Sequence, residues 1–89
     1  MQFEWDPTKA QENATRHGVA FTEAVTVFGD PLELDIPDPD HSVDERRLLS
    51  IGMSSSGRLL LVSYPERSAR IRLISARHPT ARERKTDES

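Results

Sequence analysis

A chain of 89 residues is one small domain that buries only roughly 60–65% of its unfolded surface, so its core is thin. With 35% hydrophobic residues and no cysteine, it excludes a disulfide framework, a thiolate nucleophile and a cysteine-based zinc site. The net charge of −3 is segregated: residues 1–45 hold eleven acidic and two basic side chains, and residues 46–89 hold ten basic and four acidic ones.

Phe3 and Trp5 alternate with polar neighbours, which predicts a short first strand with one buried face. Asp6-Pro7 then opens a helix, with Asp as N-cap and Pro at the first position, where no amide proton is needed. His17-Gly18 closes it, Gly18 supplying the left-handed residue. Thr22 reads as the N-cap of a second helix that carries Ala24, Val25 and Phe28 and ends at Gly29-Asp30-Pro31. Leu32, Leu34 and Ile36 alternate with Glu33 and Asp35, the pattern of a half-buried strand. The stretch from Pro37 to Ser42 is a loop by composition.

Arg46 to Met53 and Arg58 to Tyr64 read as strands joined by a Ser54–Gly57 turn, the second apolar on both faces and therefore internal. After a turn at Pro65–Ala69, Arg70 to Ala76 alternates as one further strand. Pro79 leads into a terminal helix over Thr80–Lys85, and Thr86–Ser89 is expected to fray. The order β-α-α-β-β-β-β-α predicts an α+β domain over residues 1–85, its antiparallel sheet covered on one face by helices.

Nine of the ten cations after residue 45 are arginine, whose planar fork suits phosphate or carboxylate. Such a half beside an acidic one predicts either a polyanion site or mutual neutralisation across the fold. Period-two geometry places Arg70 and Arg72 on one face about 7 Å apart, a spacing that brackets one phosphate or two neighbouring ones. Arg77 has the other parity but lies beyond the expected strand end.

Glu66-Arg67 belongs to the preceding turn, near the start of that strand. A carboxylate among arginines stays ionised and suits orienting an Arg better than accepting a proton. Arg46 lies at a strand edge beside Glu45 and Arg47. His78 follows Arg77 directly and is a candidate proton donor. His17, in a last helical turn, favours the helix dipole instead. His41 sits in an acidic loop without zinc spacing or a calcium-loop glycine, so neither a metal nor another cofactor is expected. No apolar run reaches the ~20 residues of a membrane span, and the N-terminus lacks a secretory signal's features, so the expected setting is cytoplasmic.

The chain resembles the BrnT toxins over nearly its whole length. The residues that carry the resemblance are Phe3-Glu4-Trp5-Asp6-Pro7, Lys9, Asn13, His17-Gly18-Val19, Phe21, Ala24, Val27-Phe28 and Asp30-Pro31. Glu45-Arg46, Ile51-Gly52, Glu66-Arg67, the run Arg70 to Arg77 and Arg82-Glu83-Arg84 complete it. The resemblance implies a RelE-like fold and a type II toxin that blocks translation by metal-independent RNA cleavage. It also implies a BrnA-like ribbon-helix-helix antitoxin as partner, through which alone operator DNA is reached.

On this reading Arg72 and Arg77 stabilise the phosphate and transition state, and Glu66 and Arg67 position them. His78 joins the catalytic set, while Arg70, Lys9 and Arg46 contact substrate. Two departures from the family pattern stand out: His78-Pro79 where members commonly carry Lys-Ala, and no tyrosine in the terminal helix. The alternative is a module of the same fold that binds RNA, ribosomes or protein without cutting.

Overall fold

The computed structural model of the chain describes residues 2–38, 46–65 and 70–88, with the side chains of 86–88 excepted. Strand β1 (Gln2–Glu4) leads into helix α1 (Pro7–His17) through the expected cap. Asp6 Oδ1 accepts the Thr8 amide at 2.9 Å, and Gly18 closes the helix at φ +67°, its amide donating to Ala14 O at 2.9 Å.

Helix α2 (Phe21–Ala24) continues into a 3-10 helix over Val25–Gly29. Its N-cap is Ala20, without a side-chain cap, rather than the expected Thr22. Val19 and Phe21 are both buried, and seating them is worth more than the ~1 kcal/mol a hydroxyl cap would contribute.

Strands β2 (Leu34–Pro37), β3 (Arg47–Met53) and β4 (Leu59–Pro65) form an antiparallel sheet with β6 (Ser75–Arg77), in the order β2-β3-β4-β6. The β3–β4 turn closes through Gly57 N to Ser54 O at 2.9 Å, with Gly57 at φ +81°. Strand β4 is apolar on both faces because both are used. Leu60 and Val62 join Val19, Phe21, Ala24, Val27, Leu73 and Ala76 in the main core, while Leu61 joins Leu49 and Ile51 in a second cluster on the opposite face. The sheet is therefore buried on more than the one face expected.

Strand β2 is an edge, and the apolar residues of the expected strand are less covered than their alternation predicts: Leu32, which precedes β2, is 81% and Leu34 39% exposed. Glu33 is the half-buried neighbour instead, its Oε2 inaccessible to solvent.

The alternating run from Arg70 is two strands, not one. Strand β5 (Arg70–Arg72) pairs in parallel with β1, Phe3 opposite Ile71 and Glu4 opposite Arg72. Leu73 N still donates to Glu4 O, but Ile74 N donates to Ser63 O, and β6 then pairs with β4. The break shifts the parity. Leu73 and Ala76, which a continuous strand would place on opposite faces, both enter the main core.

Helix α3 spans Ala81–Glu88, past the expected end at Lys85. Its start is a capping box: Glu83 N donates to Thr80 Oγ1 at 3.3 Å and Thr80 N to Glu83 Oε1 at 2.8 Å. Among the described residues no helix is long and apolar enough to cross a membrane.

Candidate functional site

The break between β5 and β6 decides where the arginines point. With Ile71 and Phe3 packed against the main core, Arg70 and Arg72 project from the other side of the β1–β5 pair. Arg77, paired with Leu61 of the second cluster, points away from that core as well. The parity that separated Arg77 from the other two in the sequence is thereby cancelled.

Arg70 and Arg72 share one carboxylate. Their Nη1 atoms lie 4.0 and 3.9 Å from Glu4 Oε2, with the guanidinium side chains 60% and 49% exposed. Exposed pairs at such distances contribute at most about 1 kcal/mol. Both arginines stay in reach of solvent. Residue 4 belongs to the acidic half, so mutual neutralisation across the fold operates here.

Arg77 is held far more tightly. Its Nη1 and Nη2 donate to the two Glu83 oxygens at 2.8 and 3.0 Å, and Nη1 also donates to His78 O at 3.2 Å. The Arg77 guanidinium beside it, helped by the Thr80 amide, holds the Glu83 carboxyl down at about 2. The bidentate fork expected to face a phosphate is therefore occupied, while Nε has no partner among the described residues.

Helix α1 lies along the free edge of β6. Asn13, its one buried residue, takes the place of a neighbouring strand: Nδ2 donates to Ala76 O at 2.8 Å and Val19 O at 2.9 Å, and Oδ1 accepts Ala76 N at 3.0 Å. Above it a cleft of about 190 Å³ is lined by Lys9, Glu12, Arg16 and His17 from the helix, Ser75 from β6 and Ile74 just before it. Helical spacing puts Lys9, Asn13 and Arg16 on one stripe, so the buried amide fixes the side from which the two exposed cations emerge.

Lys9 lines a cleft together with Ile74 and Ser75, which follow Arg72 in the chain. Arg46 is exposed immediately before β3, and His78 lines a groove with Arg58 and Arg84. Glu66, Arg67 and the loop histidine His41 lie outside the described residues.

Sequence reasoning missed Arg16, Arg58 and the Glu83 carboxylate. Thr80-Ala81-Arg82-Glu83 is a legible capping-box pattern that would have placed Glu83 against the helix start. Glu23 and Arg58, thirty-five positions apart, are joined by a salt bridge with no local sequence signal. Among the described residues no three His, Cys, Asp or Glu side chains are grouped to hold a metal ion.

Residues 5–83 match the family model described as the ribonuclease toxin, BrnT, of type II toxin-antitoxin systems. The chain belongs to the BrnT family. Its backbone is similar to the crystal structure of the Brucella abortus ribonuclease toxin BrnT, with a TM-score of 0.64 and 22% identity over 90% of this chain and 97% of that one. At that identity the likeness establishes the BrnT fold. No curated protein matches the chain. Membership of a ribonuclease toxin family gives RNA as the class of target and an antitoxin as the class of partner.

Proposed function

We propose that this BrnT-family chain is a metal-independent endoribonuclease that inhibits translation and is neutralised by a BrnA-like ribbon-helix-helix antitoxin, with operator DNA reached only through that partner. The observation that carries the reading is the outward projection of Arg70 and Arg72 from β5 and of Arg77 from β6, with Lys9 and Arg16 lining a cleft at the segment between those strands.

RNA cleaves itself when its 2′-hydroxyl attacks the adjacent phosphorus. A base removes the 2′ proton, the O2′–P bond forms, the P–O5′ bond breaks, and an acid protonates the departing O5′. The products are a 2′,3′-cyclic phosphate and a 5′-hydroxyl. The crowded phosphorane carries extra negative charge, and fixed guanidiniums aimed at it supply the largest share of such catalysis.

Arg72 takes that place, since its fork is exposed and its loose partner Glu4 yields readily to the phosphorane, which carries a second negative charge. Arg70 and Lys9 hold flanking phosphates. Arg77 is a positioning residue: with its fork closed on Glu83, it sets the β6–α3 corner that carries His78. His78 is assigned as the proton donor, imidazole being the side chain that exchanges protons most readily near neutral pH. Glu23 and Glu83, both held ionised down to about 2 by their arginines, are unsuited to taking a proton there.

Incubating the purified, antitoxin-free chain with bulk RNA in EDTA tests the reading. The expected outcome is fragments ending in cyclic phosphate and 5′-hydroxyl. Intact RNA, or cleavage abolished by EDTA, would overturn it.

A further inference from the structure

A second cationic recess lies away from the Arg70/Arg72 face. Pro79 follows β6, and continuing the β4–β6 register, in which Leu61 faces Arg77, brings Leu59 opposite it. There a groove of about 290 Å³ is lined by Arg58, Leu59, His78, Pro79 and Arg84. The volume is close to the lower end of small-ligand sites, roughly 300 Å³.

The two guanidiniums in this groove are presented differently. Arg58 is gripped from behind: Nε donates to Glu23 Oε2 at 2.9 Å, and Nη2 donates both to Glu23 Oε1 and to Gly18 O, the latter at 3.2 Å. Glu23 is itself fixed by Ser54 Oγ at 2.7 Å. Nη1 makes no hydrogen bond among the described residues, so one edge of a pre-oriented fork is left unused. Arg84 follows Glu83 in α3, whose first turn is anchored by Thr80 and Arg77, yet its own guanidinium is exposed without a partner among the described residues.

The charge surplus comes from Arg84, with His78 adding to it when protonated, because Glu23 offsets Arg58. Leu59 and Pro79 add an apolar strip that could lie against a ribose or base.

We propose that this groove is a second phosphate site for single-stranded RNA, gripping the chain beyond His78 from the bond cleaved at Arg72. The inference rests on the ribonuclease reading above and extends it: the substrate is an RNA long enough to reach both places. An RNA strand is favoured over an acidic peptide because the cations flank an apolar strip and stand beside His78, already assigned to the RNA cleavage step.

The test is anisotropy binding of a fluorescent, 2′-O-methylated RNA of about ten nucleotides over a salt series, with wild type, Arg84→Ala and Arg82→Ala. Arg82 is an exposed α3 neighbour outside the groove, so its variant removes the same charge without touching the site. Arg84→Ala is expected to weaken binding about 3–10-fold and to flatten the salt slope by about 0.7, the counterion release of one single-strand phosphate contact. Arg82→Ala is expected to change neither by more than about twofold.

Equal behaviour of the two variants would overturn the proposal while leaving the ribonuclease reading in place. An Arg84→Ala variant that keeps its RNA affinity but loses the antitoxin would overturn it too, assigning the groove to the partner. A wild-type chain that neither binds nor cleaves RNA would instead overturn the parent reading, and this one with it.

Discussion

Glu83 holds Arg77 through both carboxylate oxygens while one of them also accepts the amide proton of Thr80, so a single side chain closes the capping box of α3 and locks an arginine of β6. Ion pairing and helix initiation are thereby coupled. The terminal helix cannot start in this register without placing Glu83 where Arg77 needs it.

Glu83→Gln removes the charge and one half of the fork but keeps a capping acceptor. RNA cleavage is expected to fall about tenfold through a displaced His78, with a drop in melting temperature of a few degrees. The acid limb of stability checks the same pair. The Glu83 carboxyl is held at about 2, below its ordinary value of 4.5, so its contribution is full above 4.5 and is lost as pH falls toward 2. The variant's stability is expected to depend less on pH in that window, as thermal melts across pH 2–5 would show.

Asn13→Ala is expected to cost roughly 2–4 kcal/mol in chemical denaturation, because the Ala76 amide and carbonyl would both be left buried without their partner. Asn13→Asp keeps the acceptor for Ala76 N and loses the donor, so it should be no milder. A cost under about 0.5 kcal/mol would mean that the β6 edge is satisfied in another way.

Glu33 behaves in the opposite sense to Glu83. Burial, reinforced by the neighbouring Asp35 carboxyl, pushes it up to about 7. A carboxyl raised in the folded state gives its full stability below the unfolded value of 4.5 and loses it as pH rises through 7. Glu33→Gln is therefore expected to raise the melting temperature at pH 8 and to flatten its decline between pH 4.5 and 7. A lower melting temperature at pH 8 would contradict this.

Helix α1 and the β3–β4 hairpin are legible in the sequence because their signals are local. Asp6-Pro7, Gly18 and Gly57 each specify a backbone state within a few residues. The break after Leu73 is not legible, since Arg70 to Leu73 alternates just as one uninterrupted strand would. It arises from competition between β1 and β4 for the same segment, a choice made between residues some sixty positions apart. The exposure of Leu32 and Leu34 escapes notice for a related reason, because alternation reveals a period but not whether an edge strand's apolar face is covered. At the candidate site, the outward pair Arg70 and Arg72 was readable from parity alone. The closure of Arg77 on Glu83 needed the helix start to be placed first.

On the proposed reading, Glu4 and a substrate phosphate would compete for Arg70 and Arg72. Glu4→Gln is expected to tighten RNA binding about 2–5-fold at low salt and to lose that advantage at high salt, as screening removes the difference. Weaker binding in the variant would show that Glu4 orders the two arginines more than it occupies them.

The most direct measurement is single-turnover cleavage of an end-labelled RNA by wild type and Arg72→Ala, with circular dichroism confirming that both are folded. The account predicts a loss of about 10²–10³-fold, the scale for removing one group that stabilises transition-state charge, and only partial recovery in Arg72→Lys. An Arg72→Ala chain that cuts at the wild-type rate would contradict it.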